Sequence, residues 1–283
     1  MSARAAGRAA GRALGLAGLA LLAACGSFAQ DSPGVRAREL APHWRLLVPE
    51  GPGPHPAALL LSGCDGVRDN MAFWAEALVA GGRAALIVDS HRPRGLDGAR
   101  AYSLVCTGTA MRGAERAGDV AVALDALART DVIDASDVVI LGASHGGWTA
   151  MEFVAHAGTG DPLPGLAAWP EPPEAMLDRV SALVLLYPYC GLLNDARAEA
   201  WGQAPPTLML LSEEDRIVSA PACLARAENL RESGARVDAA VLPGADHAYD
   251  QQERSPLSVL EFDAGLRERA RALVAAWLAE APR

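Results

Sequence analysis

The chain has 283 residues, 51% of them hydrophobic, and a formal net charge of −9. So large an apolar share excludes a disordered chain, and the negative balance argues against nucleic acid as a partner. The length fits one large domain with a sizeable core once a removable leader is set aside.

Residues 1–24 read as that leader. Arg4, Arg8 and Arg12 precede an apolar run from Ala13 to Ala24, too short for a comfortable membrane span. The run ends in Leu22-Ala23-Ala24-Cys25, which resembles a bacterial lipobox with Cys25 as the lipidated first residue. Ser27-Phe28-Ala29 offers an ordinary signal peptidase a competing cut after residue 29. The expectation is an exported, periplasmic protein held at a membrane face through Cys25, with residues 25–43 as a linker and 44–283 as the folded domain.

Beyond the linker, strand-like and helix-like runs alternate. "WRLLVP" (44–49) reads as an early strand. "AALLLS" (57–62) and "AALIVD" (84–89) are unbroken apolar runs, as strands buried on both faces require. Gly81-Gly82 stops a helix before the second of them. Residues 114–129 place Ala117, Val120, Ala121, Leu124 and Leu127 on one helix face. "VVILGA" (138–143), "ALVLLYP" (182–188), "PTLMLLS" (206–212) and "VDAAVLP" (237–243) supply four more strands. A last helix over 265–279 gathers Leu266, Ala270, Leu273, Val274, Trp277 and Leu278. This alternation predicts an α/β fold, a mostly parallel central sheet with helices on both faces. Ligands of such sheets bind beyond the carboxyl ends of the strands. The stretch 157–176 holds five prolines, which exclude one regular helix. It reads as either a linker-like insertion or a flap over that edge, and as a flap it would offer Leu163, Leu166, Trp169 and Met176 to a ligand.

The chemistry gathers at strand ends. Gly142-Ala143-Ser144-His145-Gly146 follows a buried strand and precedes a helix, the arrangement of a nucleophile elbow. The turn is so tight that the residues two before and two after Ser144 must be small, and the helix N-terminus favours negative charge at the same spot. A serine nucleophile needs a base, and the base needs an orienting acid. His247, in the loop after the last strand, stands where the chain order Ser, acid, His requires it. Glu213, Glu214 and Asp215 follow the preceding strand and compete for the acid's role. His145 cannot fold back on Ser144 and reads as pocket wall. Its backbone N–H is one expected oxyanion donor, and the Cys64 N–H, in the glycine-rich turn Gly63-Cys64-Asp65-Gly66, is the other. Trp148, Trp169 and Tyr249 are candidate substrate contacts.

Four cysteines remain in an exported chain, and none has metal-ligand spacing. Cys64 and Cys106 lie in loops at the same sheet edge, and Cys190 and Cys223 flank one strand, which predicts the disulfides Cys64–Cys106 and Cys190–Cys223.

The segments "LLLSGCDG", "DSHRPRG", "LGASHGGW", "SEEDRIV" and "ADHAYD" together resemble the dienelactone hydrolase family, in an exported, cysteine-bearing branch. The resemblance covers about residues 57–250 and implies an α/β-hydrolase fold acting on a small-molecule ester or lactone. It implies no cofactor and no metal. It places the orienting acid just before Arg216-Ile217-Val218, which selects Asp215. Two positions depart from the pattern: founding members carry Cys where this chain has Ser144, and relatives usually carry His where it has Ser62. The expected reaction is acyl transfer to water through an acyl-serine. A peptidase or amidase on the same three residues, or a non-catalytic ligand-binding lipoprotein, are the rival readings.

Overall fold

All seven predicted strands are present in a computed structural model, which describes residues 30–196, 198–254 and 258–281. Cys25 and both cleavage sites lie outside the described residues. The strands are β1 (Arg45–Leu47), β2 (His55–Leu61), β3 (Ala84–Val88), β4 (Ile133–Ala143), β5 (Val180–Leu186), β6 (Thr207–Ser212) and β7 (Val237–Leu242). The helices are α1 (Pro33–Leu40), α2 (Asp69–Ala80), α3 (Gly98–Leu104), α4 (Gly113–Ala128), α5 (His145–Thr159), α6 (Pro173–Asp178), α7 (Ala220–Glu232) and α8 (Ala264–Glu280). Among the described residues no helix is long and apolar enough to cross a membrane.

The sheet runs β1-β3-β2-β4-β5-β6-β7, with β1 antiparallel to β3 and every other pair parallel. Pleating sends alternate side chains to opposite faces. Ala57, Leu59 and Leu61 of β2 join a core built with α4, α5 and α7. Ala58 and Leu60 join a second core built with α2 and α8. Both faces are covered, which is why the central strands are apolar without interruption. The order reverses between β2 and β4: the chain winds outward to β3 on one side and to β5, β6 and β7 on the other. The loops after β2 and β4 therefore part at this point and leave a crevice, the usual ligand site of an open parallel sheet.

Three expectations are corrected. Residues 25–43 are not a linker throughout, because α1 is docked. Ser32 caps it by accepting from the Val35 N–H, and Pro33 opens it. Its buried side chains are Leu40 and, unusually, Arg36, which donates to Asp31, Asp119 and the Gly165 carbonyl at 2.9, 2.8 and 2.9 Å. The stretch 157–176 is not a flap. Leu163, Leu166 and Met176 are buried in the α4–α5 core. Burying such a side chain stabilises by about 1.5–3 kcal/mol, which exposure over a pocket would forfeit. Trp169 packs on Phe153, and Leu166 bridges to Asp31 beside α1. On α8, Leu273 is 45% exposed; Ala270 and Val274 carry the buried stripe.

Candidate active site

The crevice is organised around Ser144. Its backbone sits at φ 51°, ψ −112°, a region that L-residues enter only when their surroundings force it. The surroundings are two glycines. A Cβ on Gly142 would lie 2.5 Å from the Gly146 carbonyl oxygen, and one on Gly146 would lie 2.1 Å from that of Leu61. The Ser144 N–H donates to Leu186 on the neighbouring strand, and α5 starts one residue later.

The predicted partners converge on this serine. His247, in the loop after β7, brings Nε2 to 2.9 Å from Ser144 Oγ. Its Nδ1 lies 2.8 Å from Asp215 Oδ2, in the loop after β6. A carboxylate accepts, so Nδ1 carries the proton and Nε2 is left to accept from the hydroxyl. The other Asp215 oxygen accepts from the Ile217 and Val218 N–H groups at 2.9 and 2.7 Å, which pins the carboxylate in place. Glu213 turns away to accept from Gly244, and Glu214 is exposed.

The Cys64 and His145 backbones lie beside the nucleophile. His145 is the first residue of α5, so its N–H has no acceptor within the helix. Cys64 lines the recess at Ser144, and both predicted disulfides are present. Two buried side chains that sequence reasoning passed over hold the loop after β2. His91 Nε2 lies 3.2 Å from the Cys64 carbonyl. Arg116 donates to the Ser62 carbonyl at 2.7 Å and the Ser62 hydroxyl at 3.2 Å. Arg116 also donates to Ser90 Oγ. Burial pulls its pKa down to about 10, an effect that Asp119 opposes. Asp119 accepts from both Arg36 and Arg94, and these charges outweigh burial and hold its carboxyl below the ordinary range. Little in the sequence signals this: Arg116 and Asp119 lie beside the apolar face of α4, where a charged side chain reads as solvent-facing.

A second missed group lies behind His247. The Tyr187 ring meets the imidazole edge-on at 4.9 Å. Its hydroxyl donates to Asp250 at 2.5 Å, and Trp74 donates to the same carboxylate at 2.6 Å. Burial raises the pKa of both Tyr187 and Asp250.

Three predicted side-chain roles fail on placement. The His145 ring is not pocket wall. It is buried, with Nε2 donating to the Met111 carbonyl at 2.8 Å and Nδ1 facing Arg116 at 3.4 Å. Burial, then the Arg116 charge, lower its pKa to about 3, so it stays neutral. Trp148 points into the core, donating to Glu152 against Gly113. Tyr249 is fully buried beside Tyr187. Neither Trp148, Tyr249 nor Trp169 lines the recess.

The model of the dienelactone hydrolase family matches residues 44–281. No curated protein matches the chain. Among solved structures, P91, a dienelactone hydrolase-like promiscuous phosphotriesterase from metagenomic libraries, is 20% identical, with a TM-score of 0.66 over 84% of this chain and 92% of that one. Esterase 2 of Thermogutta terrifontis, phosphoramylated by tabun, is 17% identical, with a TM-score of 0.60 over 85% and 91%. These likenesses show the fold.

Proposed function

The chain belongs to the dienelactone hydrolase family, and from that premise we propose that it cleaves carboxylic esters or lactones through an acyl-serine intermediate. Ser144 Oγ attacks the acyl carbon while His247 Nε2 takes its proton. Asp215 holds the imidazole in the required tautomer and offsets the positive charge that forms on it. The tetrahedral oxyanion accepts from the Cys64 and His145 N–H groups at the N-terminal end of α5. His247 then returns the proton to the departing alcohol, and water, activated by the same base, releases the acid. The observation that carries this reading is the continuous chain Ser144–His247–Asp215, at 2.9 and 2.8 Å, starting from a strained elbow.

A fluorophosphonate probe tests it. Labelling at Ser144 that is lost in Ser144→Ala is the expected result, and the P91 and Thermogutta neighbours are both linked by name to phosphorus esters. Failure to label the folded protein would overturn it. We further propose an exported protein anchored through a lipidated Cys25. Two disulfides support an oxidising compartment. Mass spectrometry of the mature N-terminus decides, and an unmodified start at Gln30 refutes the anchor.

A further inference from the structure

We propose, resting on the serine-hydrolase reading, that the recess at Ser144 selects esters of short acyl groups and that Asp65 turns away acyl chains bearing a carboxylate. The recess measures about 40 Å³. A cavity needs about 10–15 Å³ of such space to admit one water, so this one has room for a few at most, the scale of an acetyl or propionyl group.

Its walls are fixed. The Cys64–Cys106 disulfide forms one side. The Tyr187 ring forms another, and its hydroxyl is tied to buried Asp250. Gln251 crosses the mouth, donating to Asp65 Oδ2 at 2.9 Å and to the Glu253 carbonyl at 2.8 Å. A longer chain would have to break these contacts to enter.

Asp65 places a carboxylate next to the proposed oxyanion donor, and no Arg lines the recess among the described residues. Two arginines stand at its rim: Arg68 pairs with Asp65, its Nε at 3.3 Å, and Arg254 donates to the Leu260 carbonyl, so Asp65 acts as a carboxylate offset in part by Arg68. A carboxylate on the acyl chain would meet Asp65 in a space with room for few waters, where like charges repel far more strongly than in bulk solvent.

The test uses 4-nitrophenyl esters, so that only the acyl group changes. Acetate, butyrate and octanoate vary length. The succinate monoester and the 3-aminopropionate ester add a negative or positive charge at about the length of butyrate. For the full mature protein we expect kcat/KM to fall roughly tenfold or more from acetate to octanoate. At low salt the succinate monoester should fall roughly tenfold or more below butyrate, while the cationic ester equals or exceeds it. Asp65→Asn should raise the succinate-to-butyrate ratio several-fold. If that variant does not fold, the order of cationic, neutral and anionic esters on the wild type decides alone. Octanoate equal to acetate, or the succinate monoester equal to butyrate, would overturn the inference while leaving the hydrolase reading intact. No turnover of any ester, together with no fluorophosphonate label, would remove both.

Discussion

Asp215 differs from its two acidic neighbours in where its oxygens end up: one on His247, the other on two backbone N–H groups. Asp215→Asn should keep the fold but present an amide to Nδ1, favour the wrong tautomer and lower kcat by about 10⁴-fold. Glu213→Gln and Glu214→Gln should change kcat far less, and steady-state kinetics of the three variants separates them. Asp119 is the structural counterpart. Its ion pairs hold its carboxyl below the ordinary value of 3.8, so its stabilising contribution is complete above that pH and is lost as pH falls below it. Asp119→Asn removes the buried carboxylate that Arg36 and Arg94 share, leaving Arg36 with Asp31 and Gly165 and Arg94 with the Ser90 carbonyl, and should cost about 3 kcal/mol. The variant's melting temperature should also fall less steeply than the wild type's on acidification below about pH 4. Ser144, Asp215 and His247 were legible because a strand end, a tight turn and chain order constrain where a triad can lie. Trp148 and Tyr249 were not, since proximity in sequence to Ser144 and His247 does not say which way an aromatic ring turns. The Arg116–Ser62 contact joins positions 54 residues apart, with nothing local to announce it.

The elements that place these residues were read with uneven success, for physical reasons. The five central strands, covered on both faces, must be apolar throughout and stood out; the edge strands β1 and β7 are partly exposed and were read from shorter apolar runs. Helix α1 carried a start signal in Ser32-Pro33, yet its main buried contact is an arginine meeting Asp119 83 residues away, which no apolar periodicity reveals. The proline-rich stretch was unmistakably irregular, but irregular backbone can pack beneath a domain as well as cover a pocket. The elbow allows a direct check. Gly146→Ala drives a methyl group into the Leu61 carbonyl, so it should cost about 1–3 kcal/mol or more and displace the turn that bears Cys64, lowering kcat as well as the melting temperature. The two disulfides should separate in function. Replacing either pair by serines should cost about 2–4 kcal/mol in chemical unfolding. Only loss of Cys64–Cys106 should also depress kcat/KM strongly, because that bond reaches the recess itself.

At the scale of the whole molecule, the N-terminal segment belongs to the domain. Leu40 is 1% exposed and Arg36 completes the Asp119 cluster, which leads through Ser90 and Arg116 to the loop after β2. Deleting residues 1–40 should therefore lower the melting temperature by roughly 5–10 °C and reduce kcat, whereas a true linker could be removed without effect. The docking begins at Asp31, whose N–H donates to Gly165 and whose carbonyl accepts from Ala167 at 3.2 and 2.8 Å. With the anchor proposed at Cys25, six residue steps separate lipid from fixed domain. At roughly 3.6 Å per residue they reach about 20 Å, against about 65 Å had the tether run freely to residue 43. The domain would be confined to a shallow layer along the bilayer, where esters that partition to that surface are concentrated.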